Sequence, residues 1–261
     1  MQKNLSLANQ LIATLPSQER GFFLAKTELV ELELHAMVCV AGEISRHVWF
    51  PVEGFVSIIL PVPAAADMAV AQVGPEGMFH TSAVFDVEHC VFHGRVQAAG
   101  MAFCMTRTCL QQHLQQSPCL REVLNRYADA RLSQLAQQTV CSHHHSVEQR
   151  LARALLMTRD RLSSNEIFLT HEVLSLMLGV RRESVTQAAS AFQRRGVISY
   201  SRGYVMLLDE AALQRMACGC YEADLQTYAR AFPAANIVGA SPSVEAFLSR
   251  WEDSPAAVTS R

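Results

Sequence analysis

Between Arg181 and Arg202 the chain sets out side chains that match the hydrogen-bonding edges of nucleic-acid bases. Arg182 carries two parallel donors that suit guanine, Glu183 an acceptor for cytosine N4, and Gln187 a donor and acceptor for adenine, with Ser184 and Thr186 beside them. Thr170, Arg181 and Arg194 are further DNA-binding candidates, and Arg202 could lie on a phosphate. Over this stretch five arginines (181, 182, 194, 195 and 202) stand against Glu183 alone, in a chain whose formal net charge is −2. The positive charge is therefore local, which is the electrostatic footprint of a segment that meets nucleic acid.

The surrounding residues supply the elements that must hold these groups. Thr170 is a good N-cap, since its hydroxyl can accept an unpaired amide proton at a helix start. Val173, Leu174, Leu176, Met177 and Leu178 give the helix an apolar face, and Gly179 stops it where a left-handed turn costs least. A second helix follows, with Val185, Ala188, Ala189 and Phe192 at three- and four-residue spacing and the polar set Arg182, Glu183, Thr186 and Gln187 opposite. Gly196 closes it, and two strands, Val197 to Tyr200 and Tyr204 to Leu208, flank a tight turn at Ser201, Arg202 and Gly203. This order predicts a winged helix-turn-helix with its second helix in the major groove. The competing interpretation is an ordinary small α+β unit whose arginines only solvate a helix; the wing and the local charge weigh against it.

The rest of the chain reads as a second domain and a connector. A length of 261 residues with 50% hydrophobic and 18% charged residues suffices for two domains. The N-terminus is expected to be helical over Leu5 to Leu15 and again over Ser17 to Leu34, with Phe22, Phe23, Leu29 and Leu32 in the core. From Met37 onward, short Val-, Ile-, Phe- and Trp-rich runs alternate with Gly-Glu, Glu-Gly, Gly-Pro and Ala-Gly turns, predicting an antiparallel sandwich or barrel. Pro118 then opens a long helix of about 22 residues, spanning roughly 33 Å. Leu120, Leu124, Ala128, Leu132 and Leu135 form its apolar stripe. No run reaches the roughly 18 to 20 apolar residues of a membrane helix, and nothing at the start resembles an export signal, so no membrane and a cytoplasmic location are expected.

Metal chemistry finds little footing in the spacings. The eight cysteines (39, 90, 104, 109, 119, 141, 218 and 220) are scattered, include no CxxC pair, and are expected to act mostly as small buried hydrophobes. Cys218-Gly219-Cys220 is compatible with a redox switch or with a metal shared across a dimer, but packing is the expected role. His143, His144 and His145 point about 100° apart on a helix and cannot converge on one ion. His80, His89, Cys90 and His93 gather in one loop that zinc or haem iron could use. A polar loop over a disused pocket explains them as well, and neither metal nor cofactor is expected. The chain has no nucleophile elbow, P-loop, dinucleotide glycine fingerprint or paired catalytic carboxylates, so catalysis is not expected.

The run from Gly179 to Val185, Gly-Val-Arg-Arg-Glu-Ser-Val, is similar to the start of the recognition helix in the Crp/Fnr family of regulators. Glu148-Gln149-Arg150-Leu151-Ala152 also resembles that family's DNA-binding domain. The resemblance implies that Arg182 and Glu183 read bases. Gln187 falls where cyclic-AMP-responsive members carry a second arginine, which implies a different operator. Ala41-Gly42-Glu43 and Phe50 to Ser57 are similar to early strands of the family's cyclic-nucleotide-binding jelly roll, with Gly74 to Phe85 at its phosphate-binding cassette. There the family's Gly-Glu and Arg-Ser or Arg-Thr pairs are replaced by His80-Thr81 and His93-Gly94, with Arg95 close by. These five residues mark the candidate effector pocket, and control by a cyclic nucleotide is not expected. The oxygen-sensing branch uses closely spaced N-terminal cysteines, whereas only Cys39 precedes residue 90 here, which excludes its usual cluster.

The resemblance implies an α+β protein: a jelly-roll sensor domain at 1–117, a dimerisation helix and hinge at 118–145, a winged helix-turn-helix at 146–232 and a flexible tail at 233–261. It further implies a homodimer that binds a palindromic operator in double-stranded DNA and answers an unidentified signal, with RNA polymerase as a candidate partner. The alternative is a sensor or scaffold that acts through protein contacts and has lost DNA binding.

Overall fold

The computed structural model describes residues 7–64 and 66–232. The expected tail, with a helical turn around Val244 to Trp251, lies outside the described residues.

A small helix α1 (Gln10–Ala13) starts at Asn9, whose side chain accepts from the Ile12 amide and donates to the carbonyls of Pro51 and Gly77, each at 2.8 Å. The expected helix over Leu5 to Leu15 is thus one turn in its described part. Helix α2 (Ser17–Leu24) follows and ends ten residues earlier than the expected Leu34. Glu28–Leu32 is instead strand β1, and Phe22, expected in the core, is 62% exposed. The reason is long-range: β1 pairs residue for residue with a strand some seventy positions later, and that pairing outweighs local helical spacing.

The roll has two antiparallel sheets. One orders β1, β7 (Gly100–Thr106) and β3 (His47–Pro51); the other orders β2 (Met37–Cys39), β6 (His93–Ala98), β4 (Phe55–Leu60) and β5 (Met68–Val73). Leu32, Val56, Val73, Phe79, Val96 and Ala102 fill the space between them. Cys39 and Cys90 are joined by a disulfide. Helix α3 (Arg107–Gln116) leads to α4 (Pro118–His144), which Ser117 caps by accepting from the Leu120 amide at 3.1 Å. At 27 residues α4 runs about 40 Å, longer than the expected 22.

Its apolar stripe divides. Leu120, Leu124 and Ala128, expected in a dimer seam, are buried within the protomer, the two leucines in the roll-side core, whereas Leu132 and Leu135 are 65% and 39% exposed. The three- and four-residue spacing is the same whether a helix faces its own domain or a second copy, so the sequence could not separate the halves.

The C-terminal unit comprises α5 (Val147–Leu162), β8 (Glu166–Phe168), α6 (His171–Leu178), α7 (Arg182–Arg194), β9 (Ile198–Ser201), β10 (Tyr204–Leu207), α8 (Glu210–Met216) and α9 (Cys220–Ala231). Ser146 and Gln149 form a capping box at the start of α5. Its core gathers Leu151, Leu155, Ile167, Leu174, Val185, Phe192, Val205 and Leu213, and the roll adds Phe55, Ile59 and Ala69. Although α9 follows this unit in sequence, it lies along α4, and Tyr228 and Phe232 enter the roll-side core. Among the described residues no helix is long and apolar enough to cross a membrane.

Candidate nucleic-acid interface

Helix α6 supports α7 across a three-residue turn. Thr170 accepts from the Val173 amide at 3.2 Å, and Gly179 takes a left-handed φ of +59° that returns the chain toward α7. Helix α7 buries Val185, Ala188, Ala189 and Phe192, while Arg181, Arg182, Glu183, Thr186 and Gln187 stand exposed and Ser184 is half-buried. Arg181 occupies the N-cap without a side-chain cap bond, which leaves first-turn amides and its guanidinium available to an anion. Among the described residues, no salt bridge engages Arg181, Arg182, Glu183, Arg194 or Arg202, whereas Arg195 reaches Glu148 at 3.7 Å.

The wing sheet orders β8, β10 and β9, with β8 an addition that its three residues gave no signal for. Arg202 and Gly203, with φ of +51° and +89°, form the hairpin turn between the paired Ser201 and Tyr204, and Arg202 is exposed at its tip. Two successive left-handed residues match the twist of the flanking strands.

His171 is the residue that sequence reasoning missed. Its ring stacks on Tyr200 with centroids 4.4 Å apart, and its Nδ1 lies 3.0 Å from the Thr186 hydroxyl. The Tyr200 hydroxyl in turn donates to the Leu169 carbonyl at 3.0 Å. One imidazole therefore joins the supporting helix, the base-reading face and the wing. Burial, helped by the Arg182 charge, holds His171 below its usual pKa, so the ring is neutral at pH 7. A lone histidine after an N-cap residue carries no sequence signal of this role.

The candidate effector residues meet less readily. His80 is buried with a φ of +70°; its Nδ1 lies 3.3 Å from the His47 carbonyl, and its Nε2 has no hydrogen-bond partner among the described residues. Burial lowers its pKa. Thr81 opens a short turn to Phe85, and His93 Nδ1 accepts from the Ala41 amide at 3.1 Å. Gly94 is pressed against the Phe79 ring, which a Cβ there would approach to 2.1 Å. Phe79 also packs edge-on against Trp49 and Phe92, so aromatic rings occupy the roll beside Gly94. Along β6, Arg95 falls out of phase with the interior Val96 and sits opposite Ser57. Glu76 of the cassette is paired with Arg161 at 2.9 Å.

Of the eight cysteines, expected to be mostly small buried hydrophobes, five are buried: Cys39, Cys90, Cys141, Cys218 and Cys220. Cys39 and Cys90 are bonded, and Cys141, Cys218 and Cys220 converge with His145. His143 and His144 point elsewhere and are exposed.

The described residues thus combine a roll, a long connecting helix and a winged helix-turn-helix whose second helix exposes a polar face. Residues 149–216 match the family model of the Crp-like helix-turn-helix domain. The chain is 25% identical over 187 residues to the CRP-like cAMP-activated global transcriptional regulator of Mycobacterium tuberculosis, covering 69% of this chain and 84% of that protein. Its fold is similar to that of FixK2 from Bradyrhizobium japonicum, with a TM-score of 0.65, 14% identity, and coverage of 74% of this chain and 98% of that one. A CRP-family transcriptional regulator from Thermus thermophilus gives a TM-score of 0.62 at 19% identity, covering 72% of this chain and 96% of that one.

Proposed function

We propose that the chain binds a palindromic operator as a homodimer, with residues 146–232 reading DNA, 118–145 pairing the two copies and 1–117 receiving a signal. The observation that carries this reading is the polar face of α7: Arg182, Glu183, Thr186 and Gln187 project from a helix whose opposite face is fully packed, beside an exposed Arg202. The dimer seam falls on the far half of α4, where Leu132, Leu135 and Val140 are exposed. Reading a palindrome requires the two recognition helices to lie about one DNA turn, 34 to 36 Å, apart. Selection from a randomised duplex pool is expected to yield a twofold-symmetric site bound by two chains. Recovery of no symmetric sequence, or binding by a single chain, overturns the reading.

The relative from Mycobacterium tuberculosis is named as cAMP-activated, but this chain lacks the means to bind that ligand in the same way. Phe79 fills the space beside Gly94, Glu76 is engaged by Arg161, and Arg95 lies out of phase with the roll interior. Cyclic AMP at millimolar concentration is therefore expected to leave the melting temperature unchanged. A saturable rise would show a competent pocket.

A further inference from the structure

Four side chains away from the polar face of α7 and from the candidate effector residues meet where the end of α4 approaches the start of α9. Cys141 lies in the last turn of α4, and His145 is the residue that caps its end. Cys218 and Cys220 flank Gly219 at the opening of α9. Their sulfur and imidazole nitrogen atoms all lie within 4.8 Å of one another. Cys141 Sγ is 3.5 Å from Cys218 Sγ, and Cys220 Sγ is 3.5 Å from His145 Nδ1.

We propose that Cys141, His145, Cys218 and Cys220 are the ligands of a single structural zinc ion that clamps the end of the long helix to the last helix. Tetrahedral zinc, with bonds of about 2.3 Å to sulfur and about 2.0 Å to nitrogen, holds its ligands roughly 3.5 to 3.8 Å apart, which the Cys141–Cys218 and Cys220–His145 separations of 3.5 Å match while the whole set lies within 4.8 Å. Three thiolates and an imidazole are soft and borderline donors, suited to zinc and unsuited to magnesium or calcium. All four positions come from protein, which is the closed set of a structural site.

One surrounding contact fits the ion. Gln137 Nε2 donates to Cys220 Sγ at 2.9 Å, orienting a ligand from outside the coordination sphere. Three thiolates around a divalent cation carry a net charge of minus one. Packing alone does not account for the arrangement, because the three sulfurs form a buried group of their own, separate from the aliphatic cores. As the metal enters, each thiol gives its proton to solvent and no electron is transferred.

The site is independent of DNA recognition and is tested on the full chain purified under reducing conditions. One equivalent of zinc per chain is expected by mass spectrometry. Cobalt(II) replacement should give the intense visible bands and thiolate charge-transfer absorption of a tetrahedral sulfur-rich site. Cys218→Ser and His145→Ala should weaken zinc binding by more than the roughly 10- to 100-fold that losing an outer partner costs, while Cys109→Ser and Cys119→Ser keep it. Because the first pair can also impair folding, the wild-type cobalt spectrum stands as an independent readout. The proposal is overturned by substoichiometric zinc with an octahedral cobalt spectrum, by iron with acid-labile sulfide on these residues, or by a Cys141–Cys218 disulfide that excludes metal.

Discussion

Arg182→Ala is expected to weaken binding to the selected operator by about 30-fold or more while leaving binding to random DNA nearly unchanged. The magnitude follows from geometry. Arg182 opens α7 with its guanidinium exposed and free of any salt bridge among the described residues, so it can lie bidentate on a guanine. One such contact is worth about 1 to 3 kcal/mol, and a twofold complex makes it twice, giving about 2 to 6 kcal/mol. Each 1.4 kcal/mol is about tenfold in affinity. Arg202→Ala is the matched contrast: from the wing tip its partner is phosphate, so its loss should weaken every sequence alike and lower the salt slope by about one per protomer. Fluorescence anisotropy on specific and random duplexes across a salt series separates the two. If both variants affect both duplexes equally, Arg182 does not read a base.

The reading elements were legible because their signals are local. Thr170, Gly179 and the Arg202-Gly203 turn each fix the chain through their own backbone preferences, and all three sit where their chemistry places them. Features decided by distant partners were not legible. Glu28–Leu32 carries leucines at helical spacing, but β7 draws it into a strand. The stripe on α4 holds no mark of where the roll ends and solvent begins. The metal candidate is split into two half-motifs, Cys-x3-His at the end of one helix and Cys-x-Cys at the start of another, whose meeting depends on α9 returning along α4. His171 shows the same limit: its value lies in Tyr200 and Thr186, which the fold brings to it.

The second large effect is expected at Asp224, in the middle of that returning helix. Asp224 Oδ2 accepts from Arg153 Nε at 3.1 Å and from Nη2 as well, while Arg153 Nη1 donates to Gln138; both residues of the ion pair are almost wholly buried. The pair joins α9 to α5, between the thiol group at the helix start and Tyr228 and Phe232 in the roll-side core. Burial pushes the Asp224 carboxyl above its usual pKa despite the opposing pull of Arg153, so desolvation exceeds what the partner returns. Asp224→Ala strands a buried guanidinium and should cost about 3 to 5 kcal/mol. At about 2 to 4 °C per kcal/mol, the melting temperature should fall by roughly 6 to 20 °C. The paired replacement Arg153→Leu with Asp224→Leu removes both charges and should recover most of the loss, because the penalty arises from the unpaired charge rather than from a missing attraction. Thermal denaturation followed by circular dichroism distinguishes the cases. A single variant costing under about 1 kcal/mol would show that α9 is held elsewhere, and a double variant as unstable as the single would show that packing, not charge, is what Asp224 provides.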